Sequence, residues 1–272
     1  MKMKELGLDL AEVHTFFSEA RSEPYVLVFI AEDRAAEWTE LLGVPARRCY
    51  ISDGRLKAIA DEKGHSYETV VQAVIPDEGS VMSGDYGEIV AALYLASCAH
   101  PAEVLEPKMW RLKSRRTKAS EGSDVVQLQL PYWPDASEED TIVCAEVKTK
   151  ATNGTSTPVM SAIEDSRKDR ESRLTKTLVW LKEKAIVGDL GTVQLDHIDR
   201  FVKATDYPPA IREFRAVAVI SSELLEKELA DITAPETTEC TLVVISVPDL
   251  KANYEGLYEL LLARADVEVH VP

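Results

Sequence analysis

The stretch Thr141-Ile-Val-Cys-Ala-Glu-Val-Lys148 constrains the fold more than any other, because a continuous apolar run ends in two charges separated by one valine. An uninterrupted apolar run of this length suits a strand buried on both faces, the kind found inside layered α/β sheets. Side chains alternate along a strand, so Glu146 and Lys148 share one face and Val147 takes the other. A core strand has no use for a carboxylate and an ammonium unless each has a partner, since burying an unpaired charge is costly.

A second strand is expected over Ser123–Leu130, with Asp124 at its start. If the two strands pair, Asp124 and Glu146 converge on one hard cation, and the Val147 carbonyl adds an oxygen. Mg²⁺ or Mn²⁺ suits such a site, because Mg²⁺ typically takes one or two carboxylates together with water and phosphate. The cation would acidify a water and offset charge on a phosphate, while Lys148 would orient that water or neutralise developing charge.

The rest of the chain alternates helical and strand patterns, which argues for an α/β layered architecture. An amphipathic helix is expected over residues 3–20, a buried strand over Pro24–Ile30, a helix over Arg34–Leu42 and a helical stretch over Ile51–Ala73 interrupted at Gly64. Pro76-Asp-Glu-Gly79 reads as a turn and a boundary, dividing an N-terminal extension (1–80) from the main domain (81–272). Beyond it, Ile89, Ala92, Leu93 and Ala96 repeat at helical spacing and predict a helix from Asp85 to Ser97, with Glu88 in its first turn beside the positive dipole end. Further expectations are a strand over Glu103–Leu112, an exposed acidic hairpin tip over Asp135–Asp140, and a long helix after Pro158 with an apolar stripe Leu174, Leu178, Leu181 and Ala185. A short helix over 194–205, strands over Phe214–Ile220 and Thr241–Val247, a helix over Asn253–Ala263 and a last strand over Val267–Val271 complete the series.

The net charge of −16 opposes free-standing nucleic-acid binding, which gains affinity from basic surface and counterion release. Two local runs oppose this trend. Lys108–Lys118 holds six cations and no acid, and it supplies Lys113, Arg115, Arg116 and Lys118 as candidate nucleic-acid contacts. The helix after the Glu-x-Lys motif carries Arg167, Lys168, Arg170, Arg173 and Lys176. Both runs read equally well as solvated faces. Four widely spaced cysteines with no paired motif, no apolar signal core and no long apolar span make the expectation a cytoplasmic protein without a membrane segment, a zinc site or a disulfide framework.

Asp124 followed by Glu146-x-Lys148 on adjoining strands resembles the PD-(D/E)XK nuclease superfamily, and helical Glu88 resembles its additional acidic residue. More closely, Ser83-Gly-Asp-Tyr-Gly-Glu-Ile89, Gly122-Ser-Asp124 and Glu146-Val-Lys148, in this order, resemble the HamA family, the nuclease subunits of Hachiman anti-phage systems. The specific part of the likeness spans roughly residues 80 to 170, and Ser123-Asp124 replaces the Pro-Asp of the superfamily name. The resemblance implies a restriction-endonuclease-like core, a mixed central sheet flanked by helices, acting as a metal-dependent DNA nuclease. It further implies that Asp124 and Glu146 bind Mg²⁺ or Mn²⁺, that Glu88 holds a second metal or a metal-bound water, that Lys168 or Arg167 contacts the metal site or DNA, and that a helicase partner, HamB, restrains and then licenses cutting. Structural readings stand beside it. Glu146 and Lys148 also suit a same-face ion pair, Asp124 a turn residue, and Glu88 a capping box with Asp85. The rival functions are a free-standing restriction or repair nuclease and a catalytically silent scaffold.

Overall fold

The computed structural model describes every residue except 120–121, 204, 231, 233–234, 237–238 and 268–272. One seven-stranded sheet runs through it. The strands are β1 (Phe17–Arg21), β2 (Val26–Ile30), β3 (Val104–Leu105), β4 (Val125–Gln129), β5 (Thr141–Lys150), β6 (Ile211–Ser221) and β7 (Thr241–Val247). They lie side by side in the order β1-β2-β7-β6-β5-β4-β3. β2, β7, β6 and β5 are mutually parallel, whereas β1, β4 and β3 pair antiparallel with their neighbours. The sheet is therefore mixed, with a parallel centre that has to be covered on both faces.

Helices supply that cover. They are α1 (Leu10–His14), α2 (Ala35–Tyr50), α3 (Asp53–Lys63), α4 (Tyr67–Val74), α5 (Ser80–Cys98), α6 (Pro158–Lys168), α7 (Leu174–Ile186), α8 (Leu195–Val202), α9 (Leu225–Leu229) and α10 (Leu250–Ala263). On one face α5 lies against Val143, Ala145 and Val147 of β5 and Val217 and Val219 of β6, and α1, α2 and α10 share that core. On the other face α6 covers Ala216, Ala218 and Val244, and α7 with α8 covers Ile142 and Cys144. β5 thus alternates between the two cores residue by residue, as expected of a strand buried on both faces.

Residues 1–80 contribute β1 and β2 to the edge of this same sheet. β2 pairs in parallel with β7, and α2 packs along α10. The helix expected over residues 3–20 is instead a 3₁₀ turn at Met3–Leu6, the short α1 and strand β1. Gly7 causes the break: it ends the 3₁₀ turn in the left-handed region at φ +83°, and Arg48 donates to the Leu6 carbonyl at 2.9 Å beside it. α2 runs past its expected end to Tyr50, with Pro45 inside it.

Three further expectations are corrected. α5 starts at Ser80, after Gly79 at φ +130°, not at Asp85. Glu88 therefore sits about 12 Å along the helix, beyond both the capping box and the reach of the dipole end. The strand expected over 103–112 shrinks to β3, since Pro107 has no N–H for a ladder and the chain turns into a 3₁₀ segment at Trp110–Leu112. The acidic tip is not wholly exposed, because Asp140 is buried and paired with the buried Arg200. The final strand falls at residues 268–271, outside the described residues.

Candidate functional site

Helix α5 is apolar nearly all round, yet it buries two carboxylates, Asp85 and Glu88. Each has partners. Asp85 accepts a hydrogen bond from the Tyr50 hydroxyl at 2.7 Å and is ion-paired with Lys113. Glu88 accepts one from the Trp110 indole N–H at 2.9 Å. Burial, and next the nearby Asp124 charge, push the Glu88 carboxyl well above the usual carboxylate range.

Across from Glu88 the β4–β5 ladder ends. Its last pair is Val125 with Ala145, so Asp124 and Glu146 come next on the two strands. The Val147 N–H, beyond the ladder, donates to Asp124 Oδ2 at 2.9 Å and fixes that carboxylate against β5. From behind, the Lys108 ammonium donates to the Ser123 carbonyl and, at 3.4 Å, to that of Asp124. Burial, then the Glu146 charge, raise Asp124 to about 6.

Glu146 and Lys148 project from the same face of β5, with Lys148 Nζ 3.3 Å from Glu146 Oε2. Lys148 also lies 2.8 Å from Asp165 Oδ2. Burial alone would lower the Lys148 ammonium, but Asp124, Asp165 and Glu146 outweigh it and raise it to about 12. Glu146 is raised by burial and by Asp169, against the pull of Arg173 and Lys148. Its Oε1 stands 2.5 Å from the Arg173 guanidinium. Arg173 is thus the charge that neutralises this buried oxygen in the fold.

Asp165, Asp169 and Arg173 were not singled out from the sequence as site residues. Their spacing of four carries the signal: three charged residues on one helix face opposite an apolar stripe. Between α6 and α7 the chain adopts a π turn over Asp169–Arg173, a feature that often marks functional sites. It brings Asp169 to the Ser123 hydroxyl, which donates at 2.9 Å, and Arg173 to Glu146. Asp85, Lys108 and Trp110 were also missed. Asp85 lies within the Ser83–Ile89 motif and Lys108 opens the cationic run, whereas nothing local distinguishes Trp110.

The candidate nucleic-acid contacts are scattered. The Lys113 side chain is only 5% exposed and committed to Asp85. Arg116 pairs with Asp77 at 2.6 Å and Lys168 with Asp165 at 2.7 Å. Arg115 and Lys118 are exposed. Arg167 pairs with Glu239 at 2.9 Å on the far side of α6.

Among the described residues, no three or more His, Cys, Asp or Glu side chains form a ready-made metal cluster. The donor set nevertheless fits a hard divalent cation. Burial raises Glu88, Asp124 and Glu146 alike, the Asp124 charge adds to Glu88 and the Glu146 charge to Asp124, so added positive charge would be favoured between these carboxylates. One or two carboxylates suffice for Mg²⁺ when water and phosphate complete the shell.

No curated protein matches the chain. Among the described residues no helix is long and apolar enough to cross a membrane. The HamA family model matches residues 10–261, a span that contains Glu88, Asp124, Glu146 and Lys148. The chain thus belongs to the HamA family, which makes it a Hachiman-type defence protein.

Proposed function

We propose that this chain is the nuclease effector of its defence system, a metal-dependent phosphodiesterase acting on DNA under the control of a helicase partner. The observation that carries the reading is Asp124, held by the Val147 N–H next to a buried Glu146 and Lys148. The sheet order, with these residues where β4 and β5 part company, is consistent with a PD-(D/E)XK core.

Asp124 and Glu146 would hold Mg²⁺ or Mn²⁺. Such an ion, when bound, supplies positive charge at the phosphate and acidity to the attacking water. Lys148, raised to about 12, stays protonated at neutral pH. It therefore acts as a hydrogen-bond donor and fixed positive charge that orients water and phosphate, not as the base. Burial and then Asp124 hold the Glu88 carboxyl well above the usual carboxylate range, and Glu88 would hold a second ion or a water beside Asp124. Val147 N–H and Lys108 fix the Asp124 backbone and carboxylate, so the geometry is set before substrate arrives. The net charge of −16 points to a partner that delivers DNA, and a helicase with a basic docking face satisfies that requirement.

The test is cutting of linear and supercoiled DNA in Mg²⁺, Mn²⁺ or EDTA, with and without the helicase encoded alongside. Metal-dependent cutting is expected, and Glu146→Ala or Lys148→Ala should lower it by at least roughly 10²–10³-fold while the circular dichroism stays native. Either variant cutting at the unmodified rate would refute the assignment. The Arg173 charge against Glu146 favours one second reading, a silent scaffold whose site is neutralised internally. Mn²⁺ titration decides between them, since a scaffold leaves Glu146 on Arg173 and binds no ion there.

A further inference from the structure

A cavity of about 860 Å³ opens beside the carboxylates, walled on one side by the 111–114 segment and on the other by α7. Gly122, two residues before Asp124, forms part of its floor, and Arg173 reaches from its wall to Glu146. The cavity therefore adjoins the candidate site, with Arg173 bordering both. Among the described residues its lining carries five cations against a single acid, Asp189, in a chain whose net charge is −16. Lys113, Arg173 and Lys184 have carboxylate partners in Asp85, Glu146 and Asp189. Arg111 and Lys176 have none among the described residues. Trp180, half-buried on α7, presents its indole to the same space.

Unbalanced cations beside a flat aromatic ring suit phosphates joined to bases. The volume lies within the roughly 300–1,000 Å³ of sites that enclose small ligands, and the bases of a duplex are stacked inside it, out of reach of such a recess. We propose that the cavity takes an unpaired strand of nucleic acid, with a base against Trp180 and phosphates on Arg111, Lys176 and Lys184. A strand so held leads past Gly122 and lays the next phosphodiester at Asp124 and Glu146. This rests on the nuclease reading for its purpose, but not for its binding. The substrate class that follows is DNA with single-stranded character at the cut, such as a strand opened by a helicase.

Fluorescence anisotropy of the full chain tests it, with a labelled oligothymidine and a blunt duplex of equal length, in EDTA so that no cutting intervenes. The strand should bind roughly tenfold or more tightly than the duplex, the factor expected from a single base stacked on an aromatic ring. Lys176→Gln with Lys184→Gln should weaken the strand and flatten its salt dependence by about 1.4 in log–log slope, about 0.7 for each phosphate no longer neutralised. Trp180→Ala should weaken it by about 5- to 150-fold; should that variant fold poorly, the lysine pair carries the test, both of its side chains lying toward the surface. Equal binding of strand and duplex, or strand binding untouched by the variants, would overturn the proposal. So would thymidine monophosphate displacing the strand at equal phosphate concentration, which assigns the cavity to a free nucleotide. Cavity-dependent strand binding in a protein that never cuts DNA removes the nuclease reading and leaves the cavity assignment standing. Cutting by a protein whose strand binding ignores the variants does the reverse.

Discussion

Gly87 offers the sharpest test of how α5 positions Glu88. A β-carbon built there would lie 2.0 Å from the Thr149 hydroxyl oxygen and 3.2 Å from Thr149 Cβ, whereas real Cβ atoms keep their neighbours beyond 3.0 Å. Gly87→Ala must therefore part α5 from β5 by about 1 Å, or turn Thr149 within its packed strand. Overpacking of this kind costs about 1–3 kcal/mol, and replacing a mid-helix glycine by alanine returns about 1 kcal/mol. The net loss of stability is then no more than about 2 kcal/mol. Function should suffer more, since a displacement of about 1 Å at a reacting centre can cost about 10²-fold. Glu88 is the next residue and rides on the same turn. Urea unfolding followed by tryptophan fluorescence should show a shifted midpoint with unchanged slope, while plasmid cutting in Mn²⁺ falls about 100-fold. Thr149→Ala removes a hydroxyl that has no hydrogen-bond partner among the described residues, so it breaks no bond and relieves the closest approach. Gly87→Ala with Thr149→Ala should recover at least about tenfold of the lost rate, while Gly87→Ala with Thr149→Ser, which keeps the oxygen, should not. A Gly87→Ala protein that cuts normally, or a double variant no better than the single one, refutes the idea that this close approach positions Glu88.

The site also sets a pH dependence. Asp124, raised to about 6 in the metal-free fold against about 3.9 in an unfolded chain, favours folding when protonated. Its contribution is complete below about pH 4 and is lost as pH rises through about 6. The EDTA-treated protein should thus lose melting temperature, relative to Asp124→Asn, between pH 4 and 7, and Mg²⁺ should restore it at pH 7; a flat difference would show that the carboxyl is not held up. Asp165 runs the other way: Lys148 and Lys168 overcome its burial and hold it at about 2, so its contribution is lost as pH falls from about 4 through 2. Asp140→Ala strands the Arg200 guanidinium, which is 1% exposed, and should cost about 3–5 kcal/mol, read as a melting temperature lower by roughly 6–20 °C; a shift under about 2 °C would show that the pair is not a buried anchor.

The parts of the site that obey a short period are legible in the sequence. β5 announces itself by an apolar run, and the period of two puts Glu146 and Lys148 on one face. Asp124 stands out because it opens the neighbouring strand. The start of α5 is hidden, because Ser80-Val-Met-Ser-Gly84 carries neither charge nor an apolar stripe to distinguish helix from turn. Asp165, Asp169 and Arg173 look like a solvated stripe, and only the packing of α6 and α7 on the β5 face turns it inward. Arg47 is illegible for a different reason: beside its pair with Asp53, its buried guanidinium donates through Nη1 to the carbonyls of Arg264, Ala265 and Val267, more than two hundred residues away. The pairing of β2 with β7 is of the same kind, since no local pattern specifies which strand an edge hairpin joins.

That pairing gives the chain a history as well as a shape. On the ribosome, β2 emerges early but waits for β7 at residues 241–247 before it has a parallel neighbour. At about 5–20 residues per second the delay is roughly 10–40 s, during which the first hairpin stays undocked. Helix α5 likewise has no α10 to cover its outer side until residues 250–263 are made. The carboxylates therefore gain their rigid surroundings only near the end of synthesis. By this order of assembly, the candidate site stays unfinished for almost the whole time the chain is being made.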